Sequence, residues 1–514
     1  MSERQTAGTT TPAAGAMWSE DQRESRATIG RRLDIYGSFQ AVMGQFTGGV
    51  FLTGYALALH ADAPLIGLLA ALPLGVKLTQ LYTSWHIERA GHWRRLAVSS
   101  AVISRALFVL AAMIPFLLPA NIAQAWALVV VVGLSAFAGS VFDLAFLTWM
   151  AELIPASVRG AFLGERSRVT GLVGQGVALL AALGLDRWRS SQSGPGGFSL
   201  LFVLAAVIGI SGLFFLRRVP TPRRSHSRMM EEPVTHALTA PARDRNFRWL
   251  LAFIALWHFS IGMVGPFVTV LMLRELALPF VVVTTFSVLT NIIMSLAQSY
   301  WGQLGDHFGS KTALRIGTYF VTSTMLVWLF VAPDRIWPIV VVQVFSGFGW
   351  AAYHANLNNL VLKLAPPDRR PSYIASLGAV SGTAEAVGPI VGGVILASAG
   401  SLGANVLTPY YVLFTVSFVL RAVATALPGY VHEPGGVPVG RMMRVMARFR
   451  SMNTAEPFEP IFNYTYTHVA RIADFIAREH PVAPGEDSRR QTAESRGNSE
   501  GSGGRVQGSG TSSR

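Results

Sequence analysis

Cysteine is absent from the 514 residues, which excludes disulfides and thiolate metal sites and leaves the redox compartment unspecified. Charge is scarce too. Asp, Glu, Lys and Arg make up 14% of the chain, against roughly a quarter in soluble proteins. Strict two-residue alternation is missing, which argues against a membrane barrel. No His, Asp and Glu set has metal-ligand spacing and no nucleophile–base constellation stands out, so neither a metal nor a cofactor is expected and the chain does not read as an enzyme. The first 32 residues lack an apolar core ahead of a cleavage site, so no removed signal peptide is expected. The stretch Gly305-Asp-His-Phe-Gly309-Ser310-Lys311-Thr312 approaches a phosphate-binding loop. That pattern needs Gly at 310 and a nucleotide domain behind it. With neither present, ATP is not an expected partner.

What is there is apolar. Hydrophobic residues account for 51% of the chain, with a mean hydropathy of +0.41. Runs near the ~20 residues that span a bilayer recur along it: 33–59, 64–85, 96–118, 124–150, 162–186, 198–216, 247–273, 279–301, 312–332, 336–362, 372–398 and 407–428. The expected fold is therefore an all-α integral membrane protein with twelve transmembrane helices. The formal charge of +14 is topological and gives no nucleic-acid footprint. Lys and Arg gather in the N-terminal arm, the loop from Arg89 to Arg95, the central loop and the tail, while loops 60–63, 119–123 and 399–406 have none. Positive residues mark the cytoplasmic side, which places both termini inside. The Arg and Ala/Gly bias points to a GC-rich bacterial genome, hence a multi-pass protein of the bacterial inner membrane.

Two stretches at matching places set the organisation. Ser84-Trp-His-Ile-Glu88-Arg89-Ala-Gly91 separates the second and third spans, and Gly302-Gln-Leu304-Gly305-Asp306-His-Phe-Gly309-Ser-Lys311 separates the eighth and ninth. Each has an acid three residues before a Gly. A motif repeated between spans implies a duplicated membrane unit, an arrangement common among secondary transporters. Here the chain resembles the major facilitator superfamily, whose loop signature reads Gly-x-Leu-x-Asp-Arg-x-Gly-Arg-Lys. The downstream copy fits well; the upstream one has Ser84 for Gly and Glu88 for Asp. Pro155 to Gly160 parallels Pro366 to Pro371, and that register sets Asp143 opposite His354 and Gly174 opposite Glu385, with Gln45 opposite His258 in a looser alignment. The expected organisation is an arm over 1–32, a six-helix half over 33–216, a polar linker over 217–246, a second half over 247–428 and a cytoplasmic tail over 429–514. In the tail, Arg441, Arg444 and Arg448 fall on one face of an amphipathic helix suited to anionic lipid, a second short amphipathic pattern covers 465–479, and disorder is expected from about 483.

A charge inside a span is costly enough that function is the default hypothesis. Glu385 lies near the middle of the eleventh span between Ala384 and Ala386. A carboxyl so placed loses solvation on ionising, which suits it to carry a proton; the plain alternative is a protonated, hydrogen-bonded structural Glu. Asp143 lies within reach of Arg89, Arg105 or Arg166, and the resemblance implies that it completes a charge network with the loop motif, with Arg105 as a counter-ion. His354 and Asn358 share one helix face with Trp350, and Asn356 and Asn359 form a second polar pair. The resemblance implies that the first, fourth, seventh and tenth helices line a central cavity, which would hold Gln45, His258, His354 and Asn358. It also gives the loop residues Glu88, Arg89, Gly91, Gly302, Asp306, Gly309 and Lys311 a gating role. Lys77 and Arg421 are expected to snorkel to the cytoplasmic surface. Gly388-Pro389-Ile-Val-Gly392-Gly393 is similar to an exporter motif but sits in the eleventh span instead of the fifth, so close helix packing is the better reading.

The expected activity is secondary transport of a small neutral or amphiphilic solute, coupled to protons, by a monomer embedded in lipid. The alternatives are a transporter-like scaffold that moves nothing, and a multidrug or natural-product exporter.

Overall fold

The computed structural model describes residues 20–76, 93–153, 156–191, 194–219, 241–366, 369–400, 405–433, 437–440 and 442. Glu88, Arg89 and Gly91 of the upstream loop motif, Lys77, Arg441, Arg444 and Arg448, the second amphipathic stretch of the tail and most of the central linker lie outside these residues.

Apolar runs without polar alternation fold into helices because a bilayer offers no partner for backbone groups that are not bonded within the segment. The described residues are helical almost throughout and contain no strand element. In chain order the helices are α1 (Glu20–Thr47), α2 (Gly49–Ala58), α3 (Ala63–Val76), α4 (Trp93–Leu117), α5 (Ile122–Leu153), α6 (Ala156–Ser191), α7 (Gly196–Leu216), α8 (Arg245–Val270), α9 (Phe280–Phe308), α10 (Ser310–Trp328), α11 (Pro338–Leu364), α12 (Arg370–Ala399) and α13 (Thr408–Ala426). A π-helical turn, Leu271–Glu275, extends α8. Eight of the described helical stretches are long and apolar enough to cross a bilayer. Helices α10 and α11 fall short of that composition because Lys311 and Arg315, with several Ser and Thr, lower the apolarity of the first and the polar stretch from His354 to Asn359 interrupts the second.

The first expected span is broken: α1 and α2 meet at Gly48 and Gly49, and Gly49 has φ 50°, a backbone region where glycine carries no penalty. Asp244 caps α8, its carboxylate accepting from Asn246 N and Phe247 N. Pro338, Pro371 and Pro409 open α11, α12 and α13, positions where a missing N–H costs nothing.

The described chain enters α1 and leaves α13 at one face, here the near face; the turns around 60, 190, 277 and 335 form the far face. Buried side chains make three clusters. The largest runs across both halves toward the far face, from Phe51 and Tyr55 through Phe202 to Phe267, Phe280 and Phe414. The other two lie toward the near face, one among Leu33, Tyr36, Phe142 and Leu213, the other among Phe247, Trp257, Tyr353 and Leu360. The halves are thus fused at the far face and packed separately at the near face. Across the seam α3 meets α12, α6 meets α9, and α2 meets α8. Large apolar residues such as Phe116, Leu172 and Leu180 are exposed, as on a surface that faces acyl chains.

Candidate functional site

A group of titratable and aromatic side chains converges where α8, α11 and α12 meet. Glu385, midway along α12, points its Oε1 to within 3.7 Å of His258 Nδ1 on α8. That separation is ionic reach rather than a hydrogen bond, and Nδ1 has no hydrogen-bond partner. The other imidazole nitrogen, Nε2, is 2.7 Å from the Tyr353 hydroxyl on α11. Tyr353 is 2% exposed and wedged among Trp257, Trp350 and His354. Aromatic packing fixes the phenol, the phenol fixes the imidazole, and the imidazole faces the carboxyl. A third of the Glu385 side chain remains open, 32%. Such a chain can hold or pass a proton between two helices.

Glycines allow this proximity. Gly388 and Gly392 of α12 lie on the Phe259 and Met263 backbone of α8, and Gly262 of α8 faces the Glu385 carbonyl; a Cβ at any of the three would collide. Gly393 lies on Ala63 and Pro64 of α3, and Gly67 faces Pro389. The Gly-Pro-x-x-Gly-Gly run is therefore the packing surface of α12 against α8 and against the opposite half, in line with the packing reading.

Gln45 lies against Gly174, the position aligned with Glu385. The internal register thus sets the Gln45–Gly174 contact in the first half against the His258–Glu385 pair in the second, and only the second is titratable. His354 stacks on Trp350 with ring centres 5.4 Å apart, and Asn358 is exposed. Asn356 is fully buried and donates to the Trp301 and Ala352 carbonyls, so it ties α11 to α9. None of Gln45, His258, His354 and Asn358 lines the cavity on the near side of the first half. That cavity, about 530 Å³, is walled by α1, α2, α3, α4, α5 and α8, with Gln40, Arg105 and Asp143 among its polar residues. Arg105 is 1% exposed and donates to Ala101 O at 2.8 Å, Tyr36 OH at 3.3 Å and Gln40 Oε1 at 2.5 Å. Asp143 is exposed and acts on it at longer range.

The downstream loop motif sits between α9 and α10. Gly309, at φ 98°, both ends one helix and starts the next, a conformation that strains any residue with a side chain. Asp306 is exposed. The carboxylate at the α10 N-terminus belongs to Glu433, which accepts from Ser310 N at 2.9 Å and Lys311 N at 2.8 Å and pairs with Lys363 Nζ at 3.0 Å. Lys311 Nζ donates to Val431 O. Val431 and Glu433 thus strap the motif. Arg421, expected to snorkel, is 4% exposed; its Nε donates to Ser260 Oγ at 3.3 Å and its guanidinium lies over Trp257. Five residues inside α13, it turns toward α8 and its hydroxyl acceptor instead of the membrane surface.

At the far face, Asp186 at the end of α6 accepts from Phe280 N at 2.9 Å and Val281 N at 2.8 Å. One half therefore caps a helix of the other. Arg189 lies over the Phe280 ring.

The sequence profile of the Major Facilitator Superfamily matches residues 35–332 and 258–442. The crystal structure of the nucleoside transporter NupG superposes with a TM-score of 0.60 at 14% identity, over 78% of this chain and 98% of that one. A bacterial homologue of the iron transporter ferroportin, in an inward-facing state, gives 0.57 at 18% identity over 81% and 100%. A D-xylose–proton symporter gives 0.57 at 14% over 80% and 100%. These likenesses concern the fold. Among curated proteins, the uncharacterized YqgE of Bacillus subtilis is 23% identical over 190 residues, 37% of this chain and 43% of that protein. The rubrofusarin-specific efflux pump aurT of Gibberella zeae is 26% identical over 102 residues, 20% and 18%. Each match to a curated protein covers less than half of the relative.

Proposed function

Because the chain belongs to the major facilitator superfamily and eight of its described helical stretches are long and apolar enough to cross a membrane, we propose that it is a secondary transporter that moves a small neutral or amphiphilic solute across the inner membrane by alternating access, driven by protons taken up at Glu385. The observation that carries the coupling is the meeting of Glu385, midway along α12, with His258 at 3.7 Å. Ionised, the carboxylate is balanced by a charged imidazole; protonated, it is neutral and the pair relaxes. Tyr353 holds His258 in place through either state. The Glu385 carbonyl faces Gly262, and Gly388 and Gly392 on the same helix form the seam with α8. Pro389, one turn further along α12, faces Gly67 of the opposite half, so Glu385 lies one turn from a contact that must change when the halves rock.

The near face, where the two halves have separate cores, is read as cytoplasmic and open, and the far face as the closed outer gate. Export is a second direction, favoured by the stretch similar to an efflux pump. Everted vesicles that accumulate solute against its gradient would establish it.

The test uses the full chain in proteoliposomes with a labelled solute chosen by thermal-shift screening against metabolites and drugs. Glu385→Gln keeps shape and hydrogen bonding but cannot titrate. It is expected to abolish accumulation driven by a pH gradient and to leave solute exchange intact. Wild-type accumulation by this variant would move coupling elsewhere or make the protein a facilitator.

A further inference from the structure

The cavity of about 530 Å³ has an uneven wall, within the size range of pockets that hold drug-sized molecules. Toward the far face its lining is mostly apolar, with Leu52, Ile66, Leu69 and Phe108 beside Thr53 and Thr269; toward the near face it carries Gln40, Arg105 and Asp143. The Arg105 guanidinium is buried with no opposite charge in direct contact among the described residues, and Asp143 acts on it only at longer range. Its acceptors are a carbonyl, a phenol and an amide, the Phe142 ring lies 5.2 Å away, and Nε has no acceptor. No ion pair among the described residues includes it. A buried charge in this condition is costly, and the cost falls when an anion arrives with it. Guanidinium geometry suits a carboxylate, which it can hold through two N–H groups.

We propose that Arg105 is the anion-binding group of this cavity and that the transported solute is an amphiphilic organic acid, its carboxylate on Arg105 and its apolar body against Leu52, Ile66, Leu69 and Phe108. This rests on the transporter reading above and narrows its solute. Asp143 on the same wall opposes a doubly charged head such as phosphate and favours a single negative charge. A monoanion moving with one proton carries no net charge, so the proton on Glu385 and the anion on Arg105 balance across the two halves.

The experiment measures binding to the purified full chain in detergent by thermal unfolding, followed by tryptophan fluorescence. The probes share one apolar body: phenylbutyrate, phenylbutanol and phenylbutylamine. In the wild type the acid is expected to bind about tenfold more tightly than the alcohol, the scale of one charge-assisted hydrogen bond, and the amine no better than the alcohol. Arg105→Gln should bring the acid down to the level of the alcohol. Gln40→Glu, which places a carboxylate on the guanidinium without removing it, should do the same while keeping the fold, and it decides the matter if Arg105→Gln does not fold. Equal binding of acid and alcohol by the wild type, preference for the amine, no response to the acid, or a retained acid preference in Gln40→Glu overturns the proposal. Glu385→Gln separates the two readings. It should keep the acid preference, so wild-type accumulation by that variant refutes the coupling residue and leaves the anion site standing. Loss of acid preference in the Arg105 and Gln40 variants alone supports the anion site whatever drives transport.

Discussion

At the scale of single residues, the candidate coupling group is a line of contacts, with the Tyr353 hydroxyl 2.7 Å from His258 Nε2 and Glu385 Oε1 3.7 Å from Nδ1. Glu385 and His258 stand out because a titratable side chain in an apolar span is expensive and calls for a reason. That they face each other follows from α8 and α12 packing glycine on backbone, which a one-dimensional pattern does not show. Tyr353 escapes notice because a Tyr three residues after Trp350 reads as aromatic packing, and its hydroxyl bond to His258 has no signature along the chain. Arg421 misleads for the opposite reason. Nearness to a helix end suggests snorkelling, while a serine on another helix holds it inside. The phenol yields a direct test. Tyr353→Phe keeps the ring among its aromatic neighbours and removes only the hydroxyl that orients the imidazole. Gradient-driven transport should fall about tenfold, the worth of one buried hydrogen bond to a charged group, while thermal stability changes by less than about 1.5 kcal/mol. Initial rates in proteoliposomes across a range of pH check this; rates equal to wild type at every pH would remove Tyr353 from the coupling path.

At the scale of elements, the repeated loop motif is visible through its glycine and acid spacing, and Gly309 does join α9 to α10 in a glycine conformation. The carboxylate that caps α10 is not visible. Glu433 lies 123 residues beyond Ser310, in a short segment after the last helix that has no periodicity to read. Its two oxygens each accept one amide N–H at a helix N-terminus, where negative charge is favoured. Glu433→Gln leaves one acceptor and loses the pairing with Lys363. It should cost about 1–2 kcal/mol, seen as a lower unfolding midpoint, whereas Asp306→Asn at its exposed position should stay within about 0.5 kcal/mol and slow turnover with little change in solute affinity. Equal stability losses for the two variants would show that the cap is shared. The α8–α12 seam gives a second case. A methyl group at Gly392 would collide with the Met263 backbone, and backbone cannot swing aside as a side chain can. Gly392→Ala should destabilise by about 1–3 kcal/mol and impair transport, while Gly378→Ala on the same helix, where a Cβ meets nothing, should be silent.

At the scale of the molecule, fold class follows from the length and apolarity of the spans, which needs only the thickness of a bilayer. Which face the two halves close is not in that pattern, because closure depends on pairs of residues far apart in sequence. Asp186 is the clearest of these: its carboxylate, on the last turns of α6, takes the first free N–H groups of α9 from the other half. For the far face to open, both bonds must break and two amides must be exposed. Asp186→Ala removes the latch while leaving each half's own core untouched. If the closed and open arrangements differ by a few kcal/mol, losing about 1.4 kcal/mol of inter-half contact raises the far-face-open population about tenfold. The chain has no cysteine, so one introduced at Thr269, on the cavity wall, reports alone. A membrane-impermeant thiol reagent added at the far face should label Thr269→Cys slowly and should label the Asp186→Ala, Thr269→Cys double variant about tenfold faster. Unchanged labelling, with the double variant folded and inserted, would place the outer gate at the α3–α12 glycine contacts instead of at Asp186.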